Sequence, residues 1–206
     1  MDTKTQTGKF GLIVVSAPSG AGKSTLCARL LHDLGHRLAL SISTTSRAPR
    51  GQEVNGKEYF FSSPAEFKAK IDHGDFAEWA LVHGNYYGTS RATLRTFWDQ
   101  GRHVLLDIDV QGAASLRKSY GDRSFLVFIS PPGLEVLEQR LRARGTESEE
   151  AIQKRMRNAV AEMAARDAFD RVFVNDDFET AYSELKHAVV GFMDQLEEGK
   201  WPSRSS

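Results

Sequence analysis

The chain has 206 residues, 40% of them hydrophobic, enough to bury one substantial core. Lys plus Arg number 27 and Asp plus Glu 27, a net charge of zero without the basic excess of a nucleic-acid binder, so nucleic acid is not an expected partner. No run approaches the roughly 18 consecutive apolar residues of a membrane span, and the polar opening MDTKTQTGKF has no signal-peptide apolar region; a cytoplasmic protein with no membrane partner is expected.

Residues 10–15, FGLIVV, read as a fully buried strand, and STLCARLLHDLG (24–35) as a helix closed by Gly35. The single cysteine, Cys27, falls on that helix; it cannot form an intrachain disulfide and reads as a small buried residue. Between strand and helix lies SAPSGAGKST, residues 16–25. The phosphate-loop pattern G-x-x-x-x-G-K-[ST] is met by Gly22, Lys23 and Ser24, while Ala17 stands in place of the first glycine. Backbone N–H groups from about Ser19 to Ser24 can still converge on phosphate oxygens at a helix N-terminus, with Gly20 and Gly22 supplying the backbone freedom. Residues Ala17, Pro18, Ser19, Gly20, Ala21, Gly22, Lys23, Ser24 and Thr25 are therefore the candidate ATP site. Lys23 would reach the β and γ phosphates, Ser24 would ligate Mg²⁺ carried with ATP, and Thr25 would support the helix.

Further along, LALSIS (38–43), HVLLDID (103–109), SFLVFIS (124–130) and RVFVN (171–175) read as strands that alternate with helical patterns. The expected fold class is α/β, a three-layer phosphate-loop architecture with a parallel sheet between helices. Asp107 and Asp109 end one strand near the expected metal; Asp107 is a candidate ligand of metal, substrate or both, and either carboxylate could instead cap the next helix.

Residues 42–92 break this rhythm with Thr, Ser, Gly, Tyr and Phe and read as an inserted, partly β subdomain. Residues 134–162 read as two helices joined at Gly145, with a capping box from Thr146 to Glu149 and an apolar face of Ile152, Met156, Ala159, Val160 and Met163, as suits a hinged lid. The core would then comprise about 9–41, 93–133 and 163–206, all within one domain. From residue 177 a helix packs back on the core, and KWPSRSS should fray.

TTSRAPRGQEVNGKEY places Arg47 and Arg50 around Pro49, with Tyr59 on the strand after them, a set able to clamp a dianionic phosphate. FAEWALVHGNYYGTS adds Glu78, Tyr87 and Thr89. With SAPSGAGKST, LDIDVQG, RLRARGTESEE and VNDDFETAYSELK, these segments resemble the nucleoside monophosphate kinases, specifically guanylate kinase, over almost the full chain.

That resemblance implies transfer of the γ-phosphoryl group of ATP to GMP, giving ADP and GDP, on a core with a GMP-binding insert and a lid. Matched by position, Arg47, Arg50, Tyr59 and Tyr87 would grip the GMP phosphate, and Ser43, Glu78, Thr89 and Asp107 would surround guanine. The residue types suit the base: one carboxylate accepts from N1–H and the 2-amino group, and hydroxyls serve O6 and N7. Arg140, Arg144 and Arg155 would grip the triphosphate with Lys23, whereas Arg142 and Arg157 read as an exposed basic surface balanced by glutamates. Asn175 stands where the family contacts adenine, or is a buried turn amide. Two other readings remain: a catalytically dead guanylate-kinase-like module that binds phosphorylated peptides, and a kinase of the same architecture acting on another phosphate. Lys23, Arg140 and Arg144 argue against the first, and Glu78, Ser43 and Thr89 against the second. The sequence leaves the oligomeric state, including a homo-oligomer, open.

Overall fold

The computed structural model describes residues 9–82, 84–143 and 148–200. Strand β1 (Leu12–Ser16) has all five residues buried, a pattern that suits a strand paired on both edges and covered on both faces. Helix α1 (Lys23–Leu34) buries Leu26, Cys27, Leu30 and Leu34 at helical spacing. Short strands β2 (Leu38–Leu40), β3 (Thr44–Thr45) and β4 (Phe60–Phe61) lead to α2 (Pro64–Asp72), β5 (Phe76–Val82), β6 (Asn85–Ser90) and α3 (Arg91–Asp99). The chain then alternates through β7 (His103–Asp107), α4 (Val110–Tyr120), β8 (Ser124–Ser130), α5 (Leu134–Ala143), α6 (Glu149–Ala164), β9 (Arg171–Val174) and α7 (Phe178–Glu197).

Five strands form the core sheet in the order β2-β7-β1-β8-β9, every pair parallel, as the alternating pattern predicts. Side chains along β1 alternate between its faces. Ile13 and Val15 pack with Leu30, Leu185 and Phe192, and Leu12 and Val14 with Leu94, Ala113 and Leu116. Each fully buried Leu or Val contributes about 1.5–3 kcal/mol, so this two-sided core fixes the sheet. Val15 pairs with Asp107 across the β1–β7 ladder, which brings the loops after both strands to one edge of the sheet. In open α/β sheets that carboxyl edge is where ligands bind.

A second sheet, β4-β3-β6-β5, sits beside it. Phe67 of α2 stacks on Phe76 at 4.4 Å and on Tyr86 at 5.3 Å between ring centroids, which anchors the helix to the sheet. A register shift between Phe76 and Glu78 breaks the in–out alternation of β5 and buries Phe76, Ala77 and Glu78 in succession.

Several local expectations need correction. The strand expected over 38–43 stops at Leu40: the Ser41 amide makes a last bond to the core sheet, donating to the Leu105 carbonyl at 2.9 Å, and by Ser43 the chain has reached the second sheet, where the Ser43 carbonyl accepts from the Phe60 amide. Gly35 does cap α1 as expected, with a right-handed φ of −58°, and a Cβ there would lie 2.7 Å from the Leu31 carbonyl oxygen. Thr146 and Gly145 lie outside the described residues; α6 is capped by Ser148, whose Oγ accepts from the Ala151 amide at 3.3 Å. Val160 is 53% exposed and does not join Ile152 and Ala159 in the buried face. Residues 201–206 of the tail also lie outside the described residues.

Candidate nucleotide-binding site

The loop after β1 enters α1 through Gly22, whose φ of +92°, like the +101° of Gly20, lies in a region that side chains disfavour. Gly22, the N-cap of α1, makes no side-chain capping bond, so the helix start lacks that internal acceptor, the arrangement that suits an anion at a helix N-terminus. The loop is held from behind. Buried Asn175 donates from Nδ2 to the Ala21 carbonyl at 2.7 Å, and a Cβ at Gly22 would strike that amide. Asn175 is 7% exposed and supports the loop as a buried amide. Ser16 Oγ donates to the Ile108 carbonyl at 2.8 Å, tying the start of the loop to the turn after β7.

Lys23 Nζ pairs with Asp107 Oδ1. Burial opposes the lysine's charge, but the adjacent carboxylate outweighs it and raises the pKa, so Lys23 stays cationic. Asp109 accepts from the Gln111 and Gly112 amides at 2.7 and 3.1 Å and is the N-cap of α4.

Two adjoining clefts open at this edge. One, about 850 Å³, is lined by the loop from Ala17 to Thr25. The other, about 650 Å³, is lined by Ser43, Tyr59, Glu78, Val82, Tyr87, Ile108 and Asp109 among others. Lys23, Asp107 and Glu162 border both. Burial pushes Glu162 up to about 7, against the pull of Lys23.

In the second cleft Glu78 is only 6% exposed. Thr89 Oγ1 donates to its Oε1 at 2.6 Å, and burial pushes the carboxyl up to about 7 against that bond, with Asp109 adding repulsion. Thr89 is itself 0% exposed, so its hydroxyl holds the carboxylate and does not face the cleft as expected from sequence. A Cβ on Gly112 would lie 2.8 Å from Glu78 Oε2, so α4 leaves room for the carboxylate at that residue.

The structure brings Arg47, Tyr59 and Tyr87 together. Arg47 lies over the Tyr59 ring at 5.3 Å, and the Tyr59 and Tyr87 rings meet edge to face at 5.9 Å. Tyr59 sits one residue before β4, not on the strand. Arg50 is exposed on the same loop, and neither Arg50 nor Arg47 lines either cleft, whereas Tyr59 and Tyr87 line the second. From the helix pair, Arg155 Nη1 donates to Ser19 Oγ at 2.5 Å and Arg140 Nη2 to the Asn175 carbonyl at 3.0 Å, which brings both to the phosphate loop. Arg144 lies outside the described residues. Arg142 pairs with Glu138 and Glu149 on the exposed face.

A family model for guanylate kinase matches residues 9–191. The chain belongs to the guanylate kinase family. It is 45% identical to a guanylate kinase of Porphyromonas gingivalis, over 88% of this chain and 97% of that one. It is 50% identical to one from Nitratidesulfovibrio vulgaris, over 87% and 86%. The crystal structure of a guanylate kinase from Anaplasma phagocytophilum superposes with a TM-score of 0.73 at 31% identity, covering 89% of this chain and 86% of that one.

For this guanylate kinase family member, sequence reasoning missed Glu162, Gly112, Val82 and Ile108 at the clefts. Gly112 left one trace, a glycine one turn into a helix behind the DID turn, where glycine disfavours helix and so asks for a steric reason. Glu162 left none, since its approach to Lys23 arises only when α6 folds over the loop.

Proposed function

We propose that ATP occupies the cleft over the phosphate loop and GMP the cleft beside Glu78, the two meeting at Lys23 and Asp107. As a guanylate kinase, the protein transfers the γ-phosphoryl group of ATP to GMP, giving ADP and GDP. The observation that carries the site reading is the pair of clefts sharing Lys23 and Asp107, one lined by main-chain donors and the other by a buried carboxylate.

A GMP phosphate oxygen attacks the γ-phosphorus in line; its new P–O bond forms as the bond to the ADP oxygen breaks, so no enzyme intermediate is needed. Lys23 neutralises the charge shared between β and γ phosphates, and Arg140, Arg144 and Arg155 add to it from the lid. Arg47, Arg50, Tyr59 and Tyr87 hold the acceptor phosphate. Glu78 accepts from N1–H and the 2-amino group of guanine, Thr89 orients it, and Ser43 serves O6 or N7.

Among the described residues no group of three or more His, Cys, Asp or Glu is arranged to hold a metal. One hydroxyl and one carboxylate at the phosphate cleft suit Mg²⁺ delivered with the nucleotide, which keeps several waters and takes few protein ligands. Ser24 and Asp107 would hold it, and it would supply charge neutralisation at the transferring phosphoryl.

A coupled ADP-release assay across GMP, AMP, UMP, CMP and dTMP tests the reading. GMP turnover should exceed each of the others by at least about a hundredfold. Equal turnover of AMP would sink it. Among the described residues no helix is long and apolar enough to cross a membrane.

A further inference from the structure

An arginine that must grip a phosphate at a defined angle loses affinity if its guanidinium is left to rotate, because both the side-chain entropy and the geometry must then be fixed on binding. Arg47 is fixed beforehand. It is 8% exposed, its Nη1 donates to the Ala48 carbonyl at 2.7 Å, and its Nη2 donates to Glu53 Oε1 at 2.8 Å. The other oxygen of the same carboxylate, Oε2, accepts from the Arg50 amide at 2.7 Å. The Glu53 amide in turn donates to the Arg50 carbonyl at 3.0 Å, closing a turn from Arg50 to Glu53. The Arg47 guanidinium, followed by the Arg50 amide, holds the Glu53 carboxyl below the usual carboxylate range.

We infer that Glu53 is a positioning residue for acceptor-phosphate binding: its carboxylate spans the Arg47 guanidinium and the Arg50 amide and presets the Arg47 side chain for the phosphate of GMP. The inference rests on the reading of this cleft given above. Glu53 touches no reacting atom and acts through Arg47. A carboxylate beside a phosphate-binding arginine could instead be an internal anion that the phosphate must displace. The main-chain bonds argue against displacement, since removing the carboxylate from Arg47 would also strip the Arg50 amide of its acceptor and open the turn. Arg47 has five N–H donors, and with the Ala48 carbonyl, Glu53 and Tyr87 engaged, others remain for the ligand.

The test is calorimetric titration of the full chain and of Glu53→Gln with GMP and with guanosine, alongside the KM for ATP. Glutamine keeps the shape but loses the charge and one acceptor, so the variant should bind GMP about tenfold more weakly, the size expected for a lost charged hydrogen bond. Guanosine affinity, the KM for ATP and kcat at saturating GMP should stay within about twofold, because only the phosphate contribution is removed. Glu53→Asp, too short to span both partners, should weaken GMP in the same direction. Unchanged or tighter GMP binding by Glu53→Gln overturns the inference, as does an equal loss for GMP and guanosine. If the wild-type chain binds guanosine as tightly as GMP, the inference falls together with the reading beneath it.

Discussion

The phosphate loop and the proposed acceptor cleft meet at Lys23 and Asp107 but are built by different means. On the donor side the groups that face a ligand are main-chain amides at the start of α1, and their geometry follows from a buried strand, two left-handed glycines and the Asn175 amide behind them. On the acceptor side the proposed groups are side chains from β5, the loop before β4, and β6, two of them held by another side chain: Glu78 by Thr89, Arg47 by Glu53. Main-chain recognition tolerates exchange of most side chains, as Ala17 in place of a glycine illustrates. Side-chain recognition gives selectivity for one base and depends on each support.

The contrast predicts where damage stays local. The largest expected effect is at the shared point. Lys23→Met should lower kcat about a thousandfold while the fold and guanosine binding persist, because charge is lost at the transferring phosphoryl. Stopped-flow turnover with circular dichroism checks both halves, and retained turnover would break the account of the junction.

A more selective change is Gly112→Ala. The new Cβ would sit 2.8 Å from Glu78 Oε2 and push the carboxylate from its place. Loss of a charged hydrogen-bond pair should raise the KM for GMP about tenfold to a hundredfold, with the KM for ATP unchanged. Parallel steady-state titrations would show whether the two clefts fail separately; a matched rise in both KM values would erase the distinction drawn here.

The smallest effect is a pH dependence on the acceptor side alone. Guanine's two N–H donors need the ionised carboxylate, and burial pushes Glu78 up to about 7, so kcat/KM for GMP should rise about tenfold from pH 6 to pH 8. The GMP phosphate also titrates near about 6, so the diagnostic is the difference from Glu78→Gln, whose profile should lack the step near 7. Stability runs the other way. Between about 4.5 and 7 the folded chain keeps a proton on Glu78 that the unfolded chain has released, so Glu78 lowers stability as pH rises through that window. The melting temperature of Glu78→Gln should therefore exceed that of the wild type at pH 8 more than at pH 5.

What the sequence made legible follows the same division. The parallel sheet and the entry to α1 were readable because buried strands and G-K-S lie contiguous in the chain. The direction of Thr89 was not, because the register shift in β5 turns Glu78 inward and leaves Thr89 behind it. Gly112, Glu53 and Glu162 each owe their place to a neighbour distant in the chain or to a turn that closes only on folding. Asp109 stood open between ligand and cap; its Oδ1 caps α4, and the residue also lines the second cleft.

The central claim is that the buried, Thr89-held Glu78 reads the base, and comparing GMP with IMP tests it most directly. IMP keeps N1–H but lacks the 2-amino group, which leaves one acceptor site of the buried carboxylate unfilled at about 1–3 kcal/mol, or roughly five- to 150-fold in kcat/KM. The wild type should therefore prefer GMP to IMP by that factor and both to AMP, and Glu78→Gln should narrow the gap chiefly by weakening GMP. Equal kcat/KM for GMP and IMP, or GMP kinetics untouched in Glu78→Gln, would contradict it.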